Sequence, residues 1–162
     1  MSGAGLALAL LLAGCAASTA RLPEDTAADV QRDAAAVLDA LHAAASRADG
    51  ESYFALFAPD AVFLGTDATE RWSIEEFRAY AQPYFSRGQG WTYVPTERHV
   101  VAAPGGQVAW FDERLASDKY GEVRGSGVLL RGAAGWRIAQ YNLALPVPNE
   151  LAADLVARIR TR

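Results

Sequence analysis

The chain has 162 residues, a net charge of −4, one cysteine and two histidines; that is enough for one domain with a proper core. Of its 15 basic residues all but one are arginine, scattered without a basic stripe, which excludes nucleic acid as an expected partner. One cysteine and two separated histidines are too few for a zinc-type site, and no G-x-x-x-x-G-K phosphate loop occurs, so neither metal nor organic cofactor is expected.

Gly3 to Ala20 carry no charge, and Leu6 to Leu12 are leucine and alanine. This run matches a signal h-region and falls short of the roughly 20 residues a spanning helix needs. It ends in Leu12-Ala13-Gly14-Cys15, which resembles the lipobox of a bacterial lipoprotein signal peptide. The expected consequence is a signal peptide over 1–15, with lipid attachment at Cys15 consuming the only thiol. Met1-Ser2-Gly3 lacks the positive charge of an n-region, which an upstream start or an uncleaved anchor would explain. Ala16 after the cysteine resembles the signal for outer-membrane sorting. The expected location is therefore the cell envelope, lipid-anchored at the periplasmic face of the outer membrane.

Residues 16–28 read as a tether, and the domain proper is expected over 29–148. From Asp29 to Asp49 the apolar period is helical: Val30, Ala34, Val37, Leu38, Leu41 and Ala45 form a stripe, with Gly50 as its stop. His42 lies at the edge of that stripe and reads as a surface or boundary residue. A short helix is expected over Glu51–Phe57, a turn at Pro59-Asp60 and a brief strand over Ala61–Gly65. Ser73 with Glu76 forms a capping box for a helix ending near Gly88.

Strands follow. Trp91–Ala103, broken by Pro95, suits a sheet edge or a bend. Turns at Gly105-Gly106, Tyr120-Gly121 and Ala134-Gly135 separate Gln107–Ser117, Glu122–Arg131 and Trp136–Leu145. Asn149 is expected to cap a last amphipathic helix, within 149–162. Three helices with one small strand, then four long antiparallel strands, make an α+β domain with helices segregated to one sheet face.

Three stretches carry a family likeness: Phe63 to Trp72 (FLGTDATERW), Val108 to Glu113 (VAWFDE), and Arg124 to Leu129 with Trp136 to Leu143. Together they resemble the SnoaL-like branch of the nuclear transport factor 2-like superfamily. The resemblance implies a cone-shaped, curved antiparallel sheet wrapped around the N-terminal helices, with a cavity at its open end. It also implies a homodimer through the open sheet face, here expected to expose Arg137 and Tyr141. It does not fix an activity, because that superfamily houses isomerases, dehydratases, cyclases, binders and scaffolds.

Within this frame the candidate ligand-binding residues are Asp67, Glu70, Trp72, Arg98, Trp110, Arg124, Ser126, Gln140 and Asn142. The segment Gly65–Trp72 joins a strand to a helix, where ligand contacts concentrate; the bland alternative is that Asp67 and Thr69 only bond their own turn. Asp112 and Glu113 are adjacent in a strand, so one must face inward and be paired, with Arg98 or Arg124 as partner. Asp67, Asp112 and Glu113 are the candidate acids or bases. Trp136, Ile138, Gln140 and Asn142 share one face by alternation, and the Gly125/Gly127 face of the preceding strand can be approached closely. The favoured reading is a small-molecule binder; a cofactor-free isomerase, dehydratase or hydrolase and a dimeric scaffold are the alternatives.

Overall fold

The computed structural model describes residues 26–161; the expected signal peptide, Cys15 and most of the tether lie outside the described residues. Helix α1 (Ala27–Ser46) begins at a capping box in which Thr26 and Asp29 bond each other reciprocally. The domain thus starts inside the stretch read as tether. The buried face of α1 runs Val30, Ala34, Leu38, Leu41, His42, Ala44 and Ala45.

The helix stops four residues before Gly50. Ala48 takes φ 55°, and the Asp49 N–H returns to the Ala44 carbonyl, a Schellman-type end with alanine where glycine is usual. Asp49 then caps α2 (Gly50–Ala55) by accepting from the Ser52 N–H. Pro59 and Asp60 do not form a turn; they lie exposed within β1 (Phe57–Leu64), where its register against its neighbour shifts. A short β2 (Arg71–Ser73) pairs with β1, placing Trp72 opposite Phe63. Ser73 and Glu76 form the expected capping box of α3 (Ile74–Phe85).

The remaining strands are β3 (Val94–Ala102), β4 (Val108–Ser117), β5 (Gly121–Gly132) and β6 (Gly135–Ala144). The sheet order is β2-β1-β6-β5-β4-β3, with β3 on the edge and a register shift beside Pro95, as its proline predicted. All neighbours are antiparallel except β1 and β6, which run parallel. The curved, unclosed sheet holds α1, α2 and α3 on its inner face, and α4 (Asn149–Arg160) follows β6. Pro148, not Asn149, is the N-cap of α4, with no side-chain cap bond.

One irregularity reorients the last strand. Leu129 pairs with Ile138 and Val128 with Gln140, leaving Ala139 as an extra residue. A bulge of one residue exchanges the two faces of everything beyond it. Trp136 and Ile138 point inward before it, and Tyr141 and Leu143 point inward after it. Gln140 is therefore exposed and Asn142 only half-buried, and Tyr141 belongs to the core rather than the open sheet face.

Candidate functional site

The inner face of β4 carries one charged group, Glu113, whose side chain is inaccessible to solvent, while Asp112 points outward. A buried carboxylate must be compensated. Arg98 Nε donates to Oε2 at 2.8 Å. His42 Nε2 lies 2.8 Å from Oε1, and the Tyr141 hydroxyl donates to the same oxygen at 3.0 Å. Because an ionised carboxylate only accepts, the network assigns the His42 proton to Nε2. Nδ1 has no hydrogen-bond partner among the described residues. Arg98 also donates through Nη1 to Asp39 at 2.6 Å and to the Ala35 carbonyl at 3.2 Å, tying α1 to β3.

Burial pushes the Glu113 carboxyl upward, but the hydrogen bond and charge of His42 and of Arg98 outweigh it and hold the group below its usual range. Burial, reinforced by the Glu113 charge, pushes the Tyr141 phenol well above its ordinary value, so it remains a neutral donor. The β5 glycine face makes room for this contact: a Cβ on Gly125 would stand 2.4 Å from the Tyr141 oxygen.

His42 and Tyr141 also lie at the wall of a cavity of about 320 Å³ lined from α1, α2, β1, β2, α3 and β6 and the loops between them. Ten aromatic side chains line it. Phe63, Trp72 and Phe77 lie nearly parallel, with Trp72 and Phe77 at 6° and Phe63 and Phe77 at 14°. Tyr53 and Trp91 meet edge to face at 89° on another side. Burial pushes the Tyr93 phenol up to about 12, so it too is a neutral donor at physiological pH. Tyr80, Tyr84, Glu70, Gln89, Lys119 and Tyr120 add polar groups. Lys119, the only lysine of the chain, rests its ammonium 4.7 Å from the Tyr120 ring centroid.

Of the sequence-derived candidates, Glu70 and Trp72 line the cavity, and Glu113 lies behind it with Arg98 as partner. Asp67 holds its own turn, accepting from the Thr69 N–H and hydroxyl, and Glu70 accepts from the Asp67 N–H. Trp110, Asp112 and Arg124 point away on the outer sheet face, with Ser126 on that face half-buried. Arg124 stands opposite Arg114 rather than Glu113. Gln140 and Asn142 were displaced from the inner face by the bulge at Ala139. None of these six is part of the cavity wall.

His42 is the residue that sequence reasoning undervalued. It is not at the surface but 8% exposed, clasped where α1 meets the sheet. The available signal was its setting: Ala40-Leu41-His42-Ala43-Ala44-Ala45 is a six-residue run in which histidine is the sole polar side chain. His99, by contrast, faces outward and bonds Glu97.

Residues 34–148 match the SnoaL-like domain family. The chain belongs to that family. Solved structures share the architecture of this SnoaL-like domain. A protein of unknown function from the DUF3225 family of Pectobacterium atrosepticum aligns with TM-score 0.61 at 22% identity, covering 74% of this chain and 93% of that one. A candidate dehydratase of the NTF2-like family from Streptomyces avermitilis gives 0.63 at 16% identity, covering 75% and 98%. A candidate calcium/calmodulin dependent protein kinase II association domain from Xanthomonas campestris gives 0.55 at 23% identity, covering 80% and 94%. These likenesses establish the fold alone. No curated protein matches the chain in sequence.

Proposed function

We propose that this SnoaL-like domain binds a small, flat, largely apolar organic molecule in its cone cavity, and that lipid on Cys15 holds it at the cell envelope. The observation that carries the binding reading is the open cavity itself. Ten aromatic rings converge there and still leave about 320 Å³, at the lower end of the range for small-molecule sites. The acid behind the cavity is engaged by Arg98, His42 and Tyr141, so it is compensated rather than poised as a free base. Polar selectivity falls to His42 and to the groups around Glu70, Gln89 and Lys119. The anchoring part rests on the lipobox sequence Leu12 to Cys15.

Native mass spectrometry of the protein purified from its own envelope tests both parts. The expected result is a released small molecule on denaturation and a mass shift from acyl chains on Cys15. Trp72→Ala, which removes one aromatic wall, is expected to weaken retention of that molecule about tenfold or more. Purified protein without a ligand, whose melting no flat aromatic compound shifts, would count against the binding reading. A chain without acyl mass would count against the anchor.

A second reading, proton transfer, has its own observation: a carboxylate holds one nitrogen of His42 and the other has no partner among the described residues, the arrangement of an oriented general base. If the ligand is chemically altered by wild-type protein yet returned unchanged by His42→Gln, which still binds it, the domain is an enzyme. Alteration at the same rate by both proteins would rule His42 out.

A further inference from the structure

We infer that the molecule the cavity takes is an aryl acid carrying a hydrogen-bond donor at its far end: the donor buried against His42 and Tyr141, the acid at Lys119, and flat rings between. This rests on the binding reading above and names the chemical class of its ligand.

The buried end presents acceptors. His42 (8% exposed) and Tyr141 (3%) both line the cavity, and both give a proton to the same Glu113 oxygen. What each has left is a lone pair, on Nδ1 of the neutral ring and on the phenol oxygen. Nδ1 is also open. The side-chain atoms buried without a partner among the described residues are Arg98 Nη2 and Trp136 Nε1, and Nδ1, partnerless too, is not one of them. Glu113 keeps both groups this way round, because an ionised carboxylate only accepts. A ligand carbonyl or ether there would set lone pair against lone pair. A ligand acid would add the Glu113 charge behind them. A hydroxyl or N–H is the group that fits.

The exposed end is cationic. Tyr80, Tyr84 and Tyr120 are between 40% and 49% exposed, and Lys119 stands beside them with its ammonium over the Tyr120 ring. Lys119 is the only lysine or arginine lining the cavity, and it has no carboxylate partner among the described residues. Glu70, the only acid of the lining, is turned onto its own loop. There its Oε2 accepts the Asp67 N–H and lies where a Cβ on Gly65 would collide with it. A run of nearly parallel rings joins the two ends. It passes from Tyr141 to Phe63 (6°), Phe77 (14°), Trp72 (6°) and Tyr80 (22°). Flat rings laid along that run carry the donor inward and the acid outward.

Isothermal titration calorimetry of the full chain with four bicyclic probes tests this. They are a hydroxynaphthoate with its two groups at opposite ends, its methyl ether, the naphthoate lacking the hydroxyl, and the amide of the hydroxynaphthoate. Wild type is expected to bind the hydroxy acid about tenfold more tightly than the ether, with the plain naphthoate in between. The margin over the amide is expected to be about threefold and to shrink with added salt. Lys119→Met, at an exposed site, should abolish the second margin and keep the first. Nitrogen NMR locates the first: the His42 Nδ1 resonance should move with the hydroxy acid and stay with the ether, and outward-facing His99 serves as the reference. Four probes bound alike, each weakened by Trp72→Ala, would leave the cavity a binder and overturn this ligand class. So would an ether or amide bound best, an unmoved Nδ1, or an acid margin intact in Lys119→Met. Failure of every probe to bind would count against the cavity reading as well.

Discussion

Glu113→Gln is expected to lower the thermal midpoint by about 10 °C or more, the cost of breaking a buried ion pair by removing one partner. The carboxylate accepts from three side chains: His42 and Tyr141 on Oε1 and Arg98 on Oε2. A glutamine offers one acceptor oxygen and one NH₂. Whichever way it turns, the NH₂ meets at least one donor, and the Arg98 guanidinium, with its side chain 13% exposed, loses part of its charge compensation. About 3 to 5 kcal/mol is the expected loss. Arg98→Met alone should also destabilise. The double variant should fall short of the sum of the two by about 2 kcal/mol, which differential scanning calorimetry on all four proteins measures.

The pH dependence supplies a second readout with a definite sign. The Glu113 carboxyl is pushed up by burial and pulled down further by His42 and Arg98, so its folded value lies below the ordinary 4.5. A group depressed in the folded state contributes stability that is fully present above its unfolded value and is lost as pH falls through its folded one. The wild-type midpoint should therefore drop below about pH 4.5, and Glu113→Gln should lack that component of the drop. Equal acid sensitivity in the two proteins would mean that Glu113 is not the group holding the core together.

That one acid of Asp112 and Glu113 faces inward against an arginine was legible, because side chains alternate along a strand; which acid, and whether Arg98 or Arg124 meets it, took the structure to decide. The capping box at Ser73, the turns after Ala103, Lys119 and Ala133, and the edge position of the proline-bearing strand were legible for the same reason: each is a local rule. What escaped was non-local. The parallel pairing of β1 with β6 joins segments about 80 residues apart, and no periodicity announces it. The single extra residue at Ala139 inverted the faces of Gln140, Tyr141 and Asn142, turning an expected amide-lined strand into one that presents a phenol. His42 required knowing that the last turn of α1 is covered on more than one side. The aromatic wall was divided in sequence among five elements and the loops between them, so Tyr80, Tyr84 and Tyr120 carried no signal of convergence.

The close approach at the β5 glycines leads to the other large expected effect: Gly127→Ala should lower the midpoint by about 10 °C or prevent folding altogether. Gly127 sits between Phe111 on β4 and Tyr141 on β6. A Cβ there would stand 2.0 Å from the Gln140 carbonyl oxygen and 2.9 Å from the Phe111 ring. The first of these is backbone, in the stretch where Ala139 bulges, so no side-chain rotation relieves it. Strands β5 and β6 would have to separate, stretching the ladder bonds that hold Tyr141 against Glu113. Overpacking a core costs about 1 to 3 kcal/mol, and a clash with backbone belongs at or above the top of that range. Substitution at Gly105, in the β3–β4 turn, meets no neighbouring atom and serves as the comparison. Its positive φ of 88° makes alanine there a matter of local backbone strain rather than packing. If Gly127→Ala melts no lower than Gly105→Ala, the cone is not closed by this contact. If it melts far lower and its Tyr141 fluorescence and cavity binding change as well, bending at the glycine face is what brings the phenol, the carboxylate and the aromatic wall into one site.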